Sequence, residues 1–236
     1  MSKNFRNTLF KLKVKLLKIV LLFILVIFVS GLSHEQKNAI KTKTNLVEAS
    51  KKTKYEFKKA ASRIEKAILT LNPSVNPKKA RRLSAIVAIN SVKYKIDPRI
   101  MLSILNVESS FDQSAVSSTN DISIAQINLN VWTPSFFKNK TGKPLDVKRL
   151  KRDEAYAISR MCLILNYYKG KFPNDKFWYA RYHSSTPKFK SAYLSKLIKS
   201  VKKIKFLGSD IIKDIPKFSD LKIAFNKDPK NMEFLK

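Results

Sequence analysis

Apolar residues recur every three or four positions through most of the chain, which is the spacing of amphipathic helices. No stretch keeps the apolar–polar alternation of a half-buried strand, and the chain has only four glycines. The pattern therefore predicts an all-α, or mainly α, fold. The predicted helices lie near residues 78–94, 98–109, 152–169 (closed by Gly170), 175–182 and 188–203.

The N-terminus has a different pattern. A basic head precedes an unbroken apolar run at residues 19–29, and the small residues Gly31 and Ser33 follow. The head contains Lys3, Arg6, Lys11, Lys13, Lys15 and Lys18. This order is typical of a bacterial export signal. We expect residues 1–33 to be a cleaved signal peptide or, counting 16–32, an inner-membrane anchor, with the rest in the periplasm or at the cell surface.

Three further segments follow the signal. Residues 34–77 are predicted to be a charged helical linker, and its proline-containing end at 72–77 marks a domain boundary. A coiled-coil stalk and a helix folded back on the domain both fit its irregular apolar positions, which are Leu46, Phe57, Ala60, Ile64 and Ile68. Residues 78–205 are predicted to form the main domain, and 206–236 a Lys-rich C-terminal extension.

Glu108 is the strongest candidate for chemistry. It lies near the end of a predicted helix that Asp97 can cap and Pro98 can begin. It shares one face of that helix with Met101, Ile104 and Leu105. Apolar surroundings and a helix C-terminus both disfavour the carboxylate anion, so the group can stay protonated near neutrality and donate to a glycosidic oxygen. The spacing alone also fits a surface Glu turned into water.

Motifs around Glu108 resemble the lytic transglycosylase family (SLT domain) of the lysozyme superfamily. The first is Glu108-Ser109-Ser110-Phe111, and Ala115-Val116-Ser117 follows it. Ile124-Ala125-Gln126-Ile127-Asn128 and Ala180-Arg181-Tyr182-His183 come later, in family order. The resemblance covers about residues 78–204 and implies a lysozyme-like helical domain that acts on peptidoglycan glycan strands.

The resemblance also implies a mechanism and site residues. Glu108 would protonate the leaving oxygen of the MurNAc–GlcNAc β-1,4 bond and then take the proton of the muramic acid 6-hydroxyl, which gives 1,6-anhydro-muropeptides without a metal or organic cofactor. Ser109 would orient the Glu108 carboxylate. Gln126 and Asn128 would hold glycan groups, and Tyr182 would bond near Glu108 or stack on a sugar. A turn-stabilising amide and a core aromatic are the alternatives for Gln126 and Tyr182.

Two positions depart from the family pattern. Ser123 stands where the family usually has Gly, and His183 where it usually has Asn. Gly at such a turn supplies positive φ or close approach, so Ser123 can narrow the cleft or tilt Gln126, at a strain of about 1 kcal/mol. His183 can keep the contact to substrate or simply be structural. A catalytically impaired peptidoglycan-binding or scaffold protein on the same fold is therefore an alternative function.

Hydrolytic glycosidases generally pair two carboxylates. Asp112 and Asp121 are the nearby candidates, but both lie in polar turn sequences, where Asp usually bonds the main chain. A mechanism with one protein carboxylate therefore fits better, and a lysozyme-like hydrolase is the alternative.

The formal net charge of +31 indicates anionic partners. Cell-wall polymers, phospholipid head groups and nucleic acid all qualify, and an A/T-rich genome would also produce many lysines. The lysines are scattered, so no nucleic-acid partner is expected. The resemblance adds a secretion or conjugation apparatus as a partner. The one cysteine, Cys162, lies in an apolar helix and is expected to be buried; two histidines, His34 and His183, predict no metal site.

Overall fold

The computed structural model describes residues 15, 17–22 and 34–225. The chain divides into two compact units, Met1–Ser50 and Lys51–Lys236. The described residues of the first unit are helical. Most of the predicted signal or anchor segment, residues 1–33, lies outside the described residues. None of the helices in the described part is both long enough and apolar enough to cross a membrane.

Helices account for most of the described chain, so the predicted mainly α fold is confirmed. The α-helices are α1 His34–Leu71, α2 Pro77–Tyr94, α3 Pro98–Ser109, α4 Pro134–Thr141, α5 Val147–Arg152, α6 Glu154–Lys171, α7 Pro187–Lys203 and α8 Phe218–Phe225. Two short antiparallel strands, β1 Asp121–Ile122 and β2 Ile127–Asn128, form one hairpin. Single 3-10 turns occupy Trp178–Tyr182, Lys205–Leu207 and Ile211–Asp214.

Two helix pairs form the centre of the second unit. Helix α3 packs along α7, and α2 packs along α6. Asn76, Asp97 and Asp153 cap α2, α3 and α6 by accepting main-chain N–H groups of the first turn. Because Asp153 is the cap, α6 begins at Glu154, two residues later than predicted, and it continues through Gly170 to Lys171. Gly170 therefore does not end that helix.

The part of α1 that belongs to the second unit contributes to its core. Its buried residues follow helical spacing, namely Phe57, Ala60, Ile64, Ala67, Ile68 and Leu71. Asn72, just past the helix, donates from Nδ2 to the Ser110 carbonyl at 3.0 Å. Of the two alternatives for the linker, residues 57–71 agree with the second, a helix folded back on the domain. The compact unit thus starts at Lys51, before the sequence boundary at 72–77.

The segment after α7 also packs into this core as far as it is described. Leu207, Ile211 and Leu221 are buried. Arg63 of α1 forms an ion pair with Asp214 and donates from Nη2 to the Leu207 carbonyl at 3.0 Å. The Lys-rich extension predicted for 206–236 is thus part of the compact unit up to Phe225, and the rest of it lies outside the described residues.

Cys162 lies inside α6 and is fully buried, as its apolar sequence predicts. Burial raises the pKa of the Cys162 thiol far above its ordinary value. The thiol is therefore held in its neutral, unreactive form.

Candidate active site

Glu108 is the second-last residue of α3, where the chain turns sharply. Ser110 and Phe111 both have left-handed φ angles, 54° and 67°, and Phe111 is buried beneath the turn. The other members of the predicted stripe, Met101, Ile104 and Leu105, are fully buried. Glu108 is the next residue of that stripe and lies just outside the core. Its carboxyl group therefore reaches the surface of the unit among apolar side chains.

A loop of residues 115–128 folds against this helix end. The Ala115 carbonyl accepts hydrogen bonds from Ser123 N at 3.0 Å and from Gln126 Nε2 at 2.9 Å. The Tyr182 hydroxyl donates to the Ala125 carbonyl at 2.7 Å. These bonds, with the β1–β2 pairing, hold the loop in one conformation beside Glu108.

The helix end, the loop and the turn around Tyr182 enclose a cleft of about 650 Å³. That volume is within the usual range for a ligand site. The lining residues are Glu108, Ser117, Thr119, Asp121, Gln126, Asn128, Val131, Trp132, Tyr168, Arg181, Tyr182, His183, Ser184 and Ser185. The structure thus brings together five residues singled out from the sequence: Glu108, Gln126, Asn128, Tyr182 and His183.

The carboxyl group of Glu108 is held in a protonation state suited to an acid. Burial raises its pKa from 4.5 to about 7, and the charge of Asp121 acts in the same direction. A hydrogen bond from the Tyr193 hydroxyl to Glu108 Oε1, 2.5 Å long, and the charge of Lys196 oppose that rise. Near neutral pH, a substantial fraction of Glu108 is therefore protonated.

Asp121 lines the same cleft but is ionised. Burial alone would raise its pKa, but hydrogen bonds from Ser117, Thr119 and Asn128 outweigh burial and lower it. The Ser117 hydroxyl donates to Asp121 Oδ2 at 2.6 Å, and the Thr119 hydroxyl does so at 2.5 Å. One cleft thus contains a carboxyl group that readily keeps its proton and a carboxylate that remains ionised.

Tyr193 of α7 also contacts His183. The two rings stack with centroids 4.8 Å apart and planes 16° from parallel. Burial, together with the charge of Lys196, lowers the pKa of His183, so the ring is neutral at pH 7. At the position where the related family usually has Asn, this chain therefore has a neutral ring that packs on the partner of Glu108.

Ser109 and Ser123 do not line the cleft. The Ser109 hydroxyl donates to the Ile124 carbonyl at 2.8 Å and lies 3.1 Å from that of Leu105, so it ties α3 to the loop. Ser123 is buried and has a φ of 75°, the left-handed region that favours glycine. Its carbonyl accepts from both the main-chain N and Nε2 of Gln126, each at 3.0 Å. Both serines lie behind the cleft wall and fix the position of the loop that forms it.

The polar side chains of the wall are themselves held by the main chain. Asn128 Oδ1 accepts from Asn130 N and Val131 N at 2.9 and 3.0 Å, and its Nδ2 donates to the Thr119 carbonyl at 3.1 Å. Asp112 lies outside the cleft, where its Oδ1 accepts from both the main-chain N and the hydroxyl of Ser114. The turn role predicted for Asp112 is confirmed.

Comparison with known families identifies the domain that carries this cleft. Residues 85–184 match the family model of the Transglycosylase SLT domain. The chain contains a lytic transglycosylase SLT domain of the lysozyme-like superfamily. The match spans every site residue predicted from the sequence, from Glu108 to His183. An SLT domain indicates a peptidoglycan-acting function of the lytic transglycosylase type. None of the curated proteins compared with the chain matches it.

Sequence reasoning missed Tyr193, which contacts Glu108, and considered Asp121 but assigned it only a turn role. Tyr193 lies beyond the matched region and outside the motifs, and its contact with Glu108 joins residues 85 positions apart. Only its place on the apolar face of α7 could have indicated it. The sequence pattern assigns Asp121 to a turn, and the hydroxyls at Ser117 and Thr119 are the signal for an ionised carboxylate there.

A metal site would need several ligating side chains close together in the described part of the chain. No group of three or more His, Cys, Asp or Glu side chains is placed there to hold an ion. The carboxyl groups that line the cleft are Glu108, whose pKa is raised, and Asp121, whose pKa is lowered.

Proposed function

We propose that the protein is an exported bacterial peptidoglycan lytic transglycosylase with Glu108 as its single acid and base. The observation that carries the proposal is the Glu108 carboxyl group, which lines the cleft of an SLT domain with a pKa raised to about 7. A general acid is most effective when its pKa lies near the working pH. The substrate is the MurNAc–GlcNAc β-1,4 bond.

Two proton transfers complete the reaction. Protonated Glu108 donates to the glycosidic oxygen as the bond from C1 of MurNAc to that oxygen breaks, and the GlcNAc hydroxyl leaves. The 6-hydroxyl of the same MurNAc then bonds to C1 and gives its proton to the Glu108 carboxylate. The acid is regenerated, no water is consumed and the product is a 1,6-anhydro sugar. The Tyr193 hydroxyl supports the second step, because it stabilises the Glu108 anion between the two transfers.

Carbohydrate binding is proposed for the cleft wall. Tyr182 presents an aromatic surface, and Gln126, Asn128 and His183 supply polar groups for hydroxyl and acetamido substituents. Ser109 and Ser123 affect substrate binding indirectly, because they hold the loop that carries Gln126 and Asn128.

Mass spectrometry of the soluble products tests the proposal. The protein and its Glu108→Gln variant are each incubated with peptidoglycan sacculi. The amide keeps the volume of the side chain but has no proton of suitable acidity. Anhydro-muropeptides from the unmutated protein alone are expected. Equal product from Glu108→Gln would remove Glu108 from the mechanism.

Hydrolysis is the second candidate, and Asp121 is the observation that favours it. An ionised carboxylate in the same cleft as a protonated one is the pairing that glycosidases use, with the carboxylate activating water or stabilising positive charge at C1. The hydroxyl donors on Asp121 Oδ2 limit its basicity, which favours the single-carboxylate mechanism. Products with reducing ends would identify the hydrolase. Sedimentation with sacculi without any product would instead support a binding or scaffold protein.

The compartment forms part of the proposal. Peptidoglycan lies outside the cytoplasm, so export by residues 1–33, as a cleaved signal or an inner-membrane anchor, is consistent with the substrate. Detection of the mature N-terminus by mass spectrometry in a bacterial host would test cleavage. A role beside a secretion or conjugation apparatus rests on the family resemblance alone.

A further inference from the structure

Arg181 lines the same cleft as Glu108 and is fixed on two sides. Its guanidinium carbon lies 3.8 Å from the centre of the Phe172 ring, and its Nε donates to Asp175 Oδ2 at 2.9 Å. The side chain keeps 20% exposure. Among the described residues, neither Nη group of Arg181 donates to a protein acceptor. One edge of an oriented guanidinium is therefore available.

The charge around Arg181 is positive. Asp175 Oδ2 also accepts from Lys190 Nζ at 2.5 Å, and the hydrogen bonds from Lys190, Phe177 N and Arg181 lower the pKa of Asp175 to about 2. The carboxylate is thus ionised and shared by two cations. One anion against two cations leaves a net charge of +1, and Arg181 is the member of this cluster that lines the cleft.

Hydroxyl groups and aromatic rings surround the same part of the cleft. Tyr168 and Ser185 line the cleft with Ser184 and Trp132. The pKa of Glu108, in contrast, responds to burial, Tyr193, Asp121 and Lys196. Arg181 is not among the charged groups that act on Glu108, so the cleft has one part with Glu108 and Asp121 and another with Arg181.

We infer that Arg181 and the adjoining hydroxyl groups bind a carboxylate on the peptide stem of the glycan strand. A guanidinium edge with two parallel N–H donors matches the planar carboxylate group and selects it over a neutral amide. The ionised Asp121 would repel an anion in the other part of the cleft, so the carboxylate sets the direction in which the strand lies. The inference rests on the proposed function and deepens it: the preferred substrate is anionic, peptide-bearing glycan.

Binding by the Glu108→Gln protein tests this without turnover. The ligands are soluble glycan strands whose amines have been acetylated. One batch keeps its carboxylates, a second has them converted to amides by carbodiimide and ammonia, and a third has been stripped of peptides by an amidase, which leaves the lactyl carboxylate. Isothermal titration calorimetry measures Kd for each. We expect the first batch to bind about tenfold more tightly than the amidated one.

The Glu108→Gln, Arg181→Gln double variant should lose that preference and bind the first two batches equally. Arg181→Lys, which keeps the charge but not the planar donor edge, should keep part of it. Lys203→Gln, which removes one exposed positive charge from the end of α7, should keep all of it. The stripped strands, whose only carboxylate is the lactyl group, should bind as weakly as the amidated batch, and binding as tight as that of the first batch would contradict the assignment to the peptide stem.

An unchanged preference in Arg181→Gln, or no preference in the parent protein, would overturn the inference. Circular dichroism melting of each variant separates such a result from misfolding. Failure of the proposed function has a different signature: the sacculus assay would yield no Glu108-dependent product, while the carboxylate preference measured by calorimetry would remain.

Discussion

The Tyr193 hydroxyl donates a hydrogen bond to Oε1 of Glu108 across 85 positions of sequence, at 2.5 Å. The contact joins the last turn of α3 to the middle of α7, two helices that pack along each other. It favours the anion, whereas burial of the same carboxyl group favours the acid. The balance between them gives Glu108 a pKa of about 7, a value that suits the proposed role of donating a proton and taking one back.

Replacing Tyr193 with Phe should therefore raise the pKa of Glu108. A hydrogen bond to a charged group contributes about 1.5–3 kcal/mol, so the alkaline limb of the kcat/KM profile should move up by about one to two pH units. The pH dependence of kcat/KM on soluble glycan strands measures the shift. Tyr182→Phe is the matched control, since its hydroxyl donates to the Ala125 carbonyl. An equal upward shift in both variants would contradict the assignment to Tyr193.

Asp121→Asn should have the opposite effect on the same limb. Removal of its negative charge lowers the pKa of Glu108, so activity should fall at a lower pH than in the parent protein. Below that limb, the single-carboxylate mechanism predicts that most of the turnover rate is retained. Product analysis across the pH range provides the measurement, with Asp112→Asn outside the cleft as the control. If turnover at acid pH fell by about two orders of magnitude or more, Asp121 would be a second catalytic carboxylate.

Glu108→Gln should stabilise the fold at alkaline pH. The pKa of Glu108 is about 7 in the folded protein and 4.5 in the unfolded chain, so its contribution to stability is present below pH 4.5 and is lost as pH rises through 7. Relative to the parent, the variant should gain on the order of 2–3 kcal/mol between pH 4 and pH 8. Urea unfolding at both values measures the difference.

Asp112→Asn provides a comparison of opposite sign. Hydrogen bonds from Ser114 lower the pKa of Asp112, so its ionised form favours the folded state and its replacement should not stabilise at alkaline pH. If Glu108→Gln showed the same stability change at pH 4 and pH 8, the raised pKa of Glu108 would be wrong.

Ser123→Gly should stabilise the loop behind the cleft. A side chain at a φ of 75° costs about 1 kcal/mol, and part of the gain is offset by the greater freedom of Gly in the unfolded chain. The expected net effect is a gain of up to about 0.5 kcal/mol in the free energy of unfolding. Ser123→Ala removes the hydroxyl but keeps the β-carbon, and it should give no gain. A destabilised Ser123→Gly would mean that packing of the buried side chain outweighs the backbone strain.

Local signals determined how much of this molecule could be predicted. Asp97 and Pro98 fixed the start of α3, and the spacing from Met101 to Glu108 placed the carboxyl group beside the core. By contrast, the helix predicted near 175–182 is a turn followed by a 3-10 segment, because Asp175 Oδ1 accepts from Phe177 N and redirects the chain. Side-chain bonds of this kind compete with helix formation and leave no periodic trace.

Long-range contacts account for the other differences. Arg63, Asp214 and the Leu207 carbonyl meet across about 150 positions, and no spacing in the sequence pairs them. The same limit hid Tyr193, whose role depends on where α7 crosses α3. The backbone angle at Ser123 was predictable, because a family glycine marks a conformation that this chain also adopts.

The single buried thiol of Cys162 allows opening of the folded protein to be followed by alkylation. A bulky thiol reagent reaches a fully enclosed neutral sulfur only when α6 separates from its neighbours, so the rate of alkylation measures how often the centre of the domain opens. Because each molecule has a single cysteine, one mass increment marks one molecule that has opened and reacted. Glycan strands bound in the cleft should lower the rate of Cys162 alkylation. That rate therefore reports whether the cleft is occupied, even in a variant that cannot cut the strands.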